Sequence, residues 1–215
     1  MRRFILLVVL CGEARFLMAA CTASGEAWPW NRFLHSVCFN SAVHKNVFLS
    51  PDKAKRIEVE EGKGFSLIVN GRTIAWPNYG KYVVLPIEFS WSPNSDAFFV
   101  NDGEGSGMNS VLHVFRLQDS GVGEEPNFNK LVAAAFRKDV GCSATAADPI
   151  VRGIGWSKDG AQILAFAQAT VSNSCGTQGT FRGVILNLKT GSIERLDSEA
   201  DARRVLHVLL PYNMR

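Results

Sequence analysis

Leu49-Ser50-Pro51-Asp52-Lys53, Trp91-Ser92-Pro93-Asn94-Ser95 and Trp156-Ser157-Lys158-Asp159-Gly160 are three copies of one short phrase, each ending one apolar run and opening another. Before the second copy, Ile87, Phe89 and Trp91 alternate with Glu88 and Ser90. Before the third, Ile150, Ile154 and Trp156 share one side, with Arg152 an exception on it. Alternation of period two is the mark of a strand with one buried face. Within the phrase, Pro presets a backbone dihedral and Asp or Asn can bond its own backbone, so the phrase reads as a tight turn. A second strand follows each time, at 56–59, 97–100 and 162–166, and then a third, at 65–70, 111–117 and 183–188. A fourth is readable at 73–76 and at 192–196. The implied class is all-β, made of antiparallel four-stranded units; a β-sandwich with similar turns is the competing arrangement.

The phrase Trp-Ser-Pro-(Asn/Asp), followed by an apolar strand, resembles the repeat of TolB-like and WD40-like β-propellers, where it links the first and second strands of a blade. The resemblance spans about residues 46–197 and implies blade-like repeats in a partial or small propeller. It departs from the family in two ways. The serines lie 42 and then 65 residues apart, so the second interval carries an insertion. Three repeats also fall short of the four to eight blades of closed propellers. Closure therefore requires extra strands from the chain ends, another chain, or an open stack.

The chain has 215 residues, a net charge of +3 and 19 glycines, which suits one domain with many turns. Its basic residues are scattered, and no basic stripe interleaved with aromatics favours nucleic acid. No stretch reaches the roughly 18–20 apolar residues of a membrane-spanning helix. Met1-Arg2-Arg3 followed by Phe4–Cys11 has the form of a secretory leader, so residues 1–27 are set apart from a domain over 28–215. Met18-Ala19-Ala20-Cys21 partly matches a lipobox, which makes Cys21 a candidate for lipidation. The expected location is periplasmic or secreted, with a lipid anchor if Cys21 is modified; a buried helix in a cytosolic protein is the alternative.

Five cysteines are present, without a CxxC pair, so a structural zinc site is not indicated. Cys142 precedes the first strand of the third repeat and Cys175 lies in its long 170–180 loop. Both fall at one end of a blade, and a Cys142–Cys175 disulfide is expected if the compartment is oxidising; two separate thiols are the other reading. Cys38 is then odd, either buried or open to pairing between chains. The 101–109 loop carries Asp102, Glu104 and Asn109 among glycines. These are oxygen donors suited to calcium, although the flanks are strands, His113 stands where an EF-hand has its closing Glu, and a solvated hairpin loop has the same composition. The four histidines fall singly, and no nucleophile, phosphate-loop or zinc-protease motif occurs. Trp28-Pro29-Trp30-Asn31-Arg32-Phe33 reads as a core cap or a binding patch. Glu199–Arg204 reads as a short helix, Val205–Leu210 as a closing strand, and Lys130–Arg137 as a helix or a fourth strand. If Trp156 is core, Trp156→Ala costs about 3–5 kcal/mol.

TolB-like propellers act as protein-binding platforms in the periplasm, and the resemblance implies a non-enzymatic, exported module with a protein partner, without nucleic acid, and with self-association through blade edges as a further expectation. The alternative is a glycan-binding, or glycan- or peptide-hydrolysing, protein that uses one end of the blades. Catalytic residues are not identifiable from the sequence, and no cofactor other than calcium is suggested.

Overall fold

A computed structural model describes residues 34–37, 44–74, 87–103, 110–118, 121–125, 127–143, 148–169 and 179–206. They form three antiparallel sheets. The first sheet is β2 (Lys45–Leu49), β3 (Lys55–Glu60), β4 (Gly64–Val69) and β5 (Arg72–Ile74), in chain order. The second places β1 (His35–Ser36) beside β6 (Ile87–Trp91), followed by β7 (Ala97–Asp102), β8 (Val111–Gln118) and β9 (Gly121–Glu124). The third is β10 (Ile150–Trp156), β11 (Gln162–Gln168), β12 (Phe181–Asn187) and β13 (Ser192–Asp197). Each repeat of the phrase joins the first two strands of its four-strand meander, so blade-like repeats, rather than two packed sheets of a sandwich, describe the architecture.

The three turns share one geometry. In each, the Ser amide donates to a carbonyl five residues on: Ser50 to Lys55, Ser92 to Ala97 and Ser157 to Gln162, at 2.9–3.0 Å. The Ser Oγ accepts the amide of that same residue, at 3.0, 3.0 and 2.9 Å. The hydroxyl therefore closes the first rung of the hairpin, which is why Ser recurs in all three copies. The fourth residue of the phrase after the strand is left-handed each time: Lys53 at φ 60°, Ser95 at 63° and Gly160 at 73°. Only Gly160 takes that conformation without steric cost.

The sheets stack in chain order. Phe48, Ile57, Val59 and Leu67 of the first sheet meet Phe89, Trp91, Phe98 and Phe115 of the second in one apolar cluster. Phe99, Leu112 and Val114, on the second sheet's other face, meet Val151, Ile163 and Val184 of the third. Helix α1 (Phe128–Asp139) buries Phe128, Val132, Ala133 and Phe136, one stripe at helical spacing, and Phe128, Val132 and Phe136 join that second cluster. It occupies much of the long interval between the second and third phrases, and the fourth strand of that unit is β9, so the helical reading of 130–137 stands and the strand reading falls.

Helix α2 (Glu199–Leu206) packs against β12. The Ser198 Oγ accepts the Asp201 amide at 3.2 Å as an N-cap. Buried Ala202 then joins Ile154, Phe166 and Phe181, and Arg203 lies 4.9 Å from the centre of the Phe181 ring. Val205 and Leu206, expected in a strand, belong to this helix; 207–210 lie outside the described residues.

One strand departs from the simple alternation. Ile154 packs toward α2, whereas Trp156 packs toward the second sheet, so the two do not share a side. The pairing of β10 with β11 slips between Gly153 and Gly155, a bulge that reverses the faces after it. Gly153 also admits no side chain, because a Cβ there would lie 2.8 Å from the Phe99 ring.

The first sheet ends the stack differently. The pairs Val47–Glu58 and Leu49–Arg56 hold the places that Phe89–Val100 and Trp91–Phe98 hold in the second sheet. Val47 and Leu49 are 46% and 57% exposed, and Glu58 bonds both Lys45 and Arg56. Ion pairs thus stand on this outer face where the next sheet has aromatic and aliphatic packing.

Candidate functional site

Where the three turns meet, they enclose a groove of about 630 Å³. Leu49 and Pro51 come from the first phrase, Trp91 and Pro93 from the second, Trp156, Ser157 and Lys158 from the third, with His35 and Ser90 completing the wall. Neighbouring turns touch directly. The Asp52 amide donates to Ser95 Oγ at 3.1 Å, and Gly160 sits so near Asn94 that a Cβ would lie 2.7 Å from its side-chain oxygen. The two indoles stitch each sheet to the one before it: Trp91 Nε1 donates to the Phe48 carbonyl at 3.1 Å, and Trp156 Nε1 to Ser90 Oγ at 3.2 Å. Both indole N–H groups are thereby committed, and the groove presents ring surface more than ring donors. Trp156 is half-buried and stacks on Phe99 with centroids 5.5 Å apart.

Carboxylates brace the turns. Lys55 Nζ and Ser50 Oγ both bond Asp52, which holds its carboxyl down at about 2 from the usual 3.8. Asp159 accepts from Ser157 Oγ at 2.6 Å and from the Ala161 amide at 3.1 Å, and those bonds lower its pKa too. Hydrogen bonds from Lys45 and Arg56 lower Glu58, and those from Gln162 and Asn187 lower Glu194. A depressed carboxylate contributes stability that is present above its unfolded-state value and lost as pH falls through the folded one. Urea midpoints are therefore expected to hold steady down to about pH 4 and to decline toward pH 2. Asp52→Asn and Asp159→Asn together should flatten that decline; an unchanged slope in the double variant would show that these turns do not drive it. Asp52 is 42% exposed, so solvent screens its share.

Between the second and third sheets lies a polar cluster that the sequence reading did not anticipate. Glu88, 5% exposed, accepts from Arg152 Nε at 2.8 Å and from Asn101 Nδ2 at 3.0 Å, and it also pairs with the terminal Arg152 nitrogen. Asn101 bonds both the carbonyl and the amide of Gly153 at 2.8 Å. The only sequence signal was charge within apolar runs, Glu88 between Ile87 and Phe89, and Arg152 as the exception in its strand.

Of the ligand candidates singled out from sequence, only Asp102 is among the described residues, and it lies at the other end of the sheets. Asp102 ends β7, about 17 Å of strand away from the Ser92 turn. It is half-buried, while Glu104 and Asn109 lie outside the described residues. Among the described residues, no group of three His, Cys, Asp or Glu is placed to hold a metal. Cys142 follows α1, its amide donating to the Arg137 carbonyl at 2.8 Å. Cys21, Cys38, Cys175, the 1–27 leader and Trp28–Phe33 also lie outside the described residues. His113 and His44 each bond a carboxylate, Glu124 at 2.7 Å and Glu61 at 2.6 Å. The groove itself was missed because its lining is the repeated phrase, read only as a turn; the signal was the large apolar residue ahead of each Ser. No protein-family model matches this sequence, and no curated protein does.

Proposed function

We propose that this chain is an exported, non-enzymatic protein-binding module built on blade-like repeats of the TolB-like and WD40-like kind. The groove at the junction of the three turns carries this reading. Its walls are mainly apolar, from Leu49, Pro51, Trp91, Pro93 and Trp156, and its volume of about 630 Å³ suits several side chains of a partner. Recognition of a sugar needs many polar groups facing the ligand. Here both indole N–H groups are consumed within the protein, as is the Ser157 hydroxyl, which favours a protein segment over a glycan. A Cys142–Cys175 bond belongs with export. Ile150, Gln168 and Phe181 are successive register partners, so the 142–149 and 169–180 connections leave the third sheet at the same end.

Leu49 is 57% exposed, so Leu49→Asp leaves packing intact while placing a charge in the groove. Affinity capture with the intact chain from a periplasmic or secreted extract should enrich one protein that the Leu49→Asp chain fails to retain, with the same urea midpoint for both. Equal retention by the two chains, or hydrolysis of a glycan or peptide by the protein alone, would overturn the reading.

A further inference from the structure

We infer that the groove selects a protein segment in which an apolar side chain stands close to a carboxylate, and that Lys158 reads the carboxylate. The inference rests on the functional reading above and adds the chemistry of the partner.

Lys158 occupies the place in its phrase that Pro51 and Pro93 occupy in theirs, so the third turn projects a cation where the other two project a ring. It is exposed, and none of the described ion pairs or hydrogen bonds engages its ammonium. The adjacent Asp159 is turned into its own loop by Ser157 and the Ala161 amide, and Asp52 is held by Lys55 and Ser50. The groove lining therefore carries a lysine and no carboxylate. Three N–H donors meet solvent at the rim of a groove whose apolar part is made by Leu49, Pro51, Trp91, Pro93 and Trp156, beside His35, Ser90 and Ser157. A ligand that fills the apolar part with an aliphatic or aromatic side chain and brings an acceptor of negative charge to the rim satisfies both halves. A basic segment meets like charge, and a neutral one leaves the ammonium unmatched.

The test is selection from a phage-displayed random dodecapeptide library, run in parallel on the intact chain and on its Lys158→Glu variant. Wild-type selectants are expected to carry Asp or Glu within a few residues of an aromatic or aliphatic one. They should lose about tenfold in affinity on Lys158→Gln, more on Lys158→Glu, and weaken as NaCl is raised. Selection on Lys158→Glu should bring Lys or Arg into the same place. Peptides lost on Leu49→Asp but showing no acidic bias and binding Lys158→Gln normally would overturn the role of Lys158 and leave the groove reading standing. Peptides indifferent to Leu49→Asp, or no selectants at all, would remove both.

Discussion

Trp91→Ala is expected to lower the free energy of unfolding by about 3–5 kcal/mol, the range for deleting a packed aromatic side chain. Trp91 is 8% exposed and meets two rings edge-on, Phe89 at 5.6 Å and Phe98 at 5.2 Å between centroids. Its indole N–H also holds the Phe48 carbonyl, so the truncation removes an inter-sheet bond together with the packing. The equivalent indole of the third phrase is half-buried on the groove wall, and Trp156→Ala should cost clearly less. Chemical denaturation of both variants checks the ranking; a smaller loss for Trp91 than for Trp156 would mean that the first two sheets are not held together as described. Trp91→Phe should recover most of the packing but not the bond to Phe48, which separates the two contributions.

Glu88→Ala is expected to cost a comparable 3–5 kcal/mol by a different route. The Arg152 guanidinium loses its bidentate partner in a place where its side chain is only 29% exposed, and Asn101 loses an acceptor. The penalty for a pair broken on one side comes mainly from the charge left behind, rather than from the attraction lost. Glu88→Leu combined with Arg152→Met should therefore be far closer to wild type than Glu88→Ala alone. Additive losses in that double variant would show that the two side chains act independently, against the geometry found between the second and third sheets.

The architecture was legible because its signals are local. Period-two alternation and a turn phrase repeated three times depend on neighbours in sequence, and each phrase joins the strands it was expected to join. Two features were illegible for the same reason. The bulge at Gly153–Gly155 moves Ile154 and Trp156 to opposite faces, and nothing in the spacing of the apolar residues distinguishes that from straight alternation. The groove needs Leu49, Trp91 and Trp156 together, residues 42 and 65 positions apart that only stacking of the sheets brings side by side. The loop around Asp102 drew attention by composition, whereas the groove lies at the opposite end of the strands. Helix α1 was readable as a helix from propensity, but its place under the second and third sheets depends on long-range packing that its own residues do not encode.

Arg56 and Glu58 have a consequence for growth. A stack of like sheets is in principle endless, because every added unit exposes a fresh face of the kind just covered. Among the described residues, α2 lies over one outer face, and an arginine and a glutamate stand on the other in the places of a phenylalanine and a valine. Arg56→Phe together with Glu58→Val is therefore expected to give that face the apolar pairing that the next sheet buries, and with it a surface that recruits a further molecule.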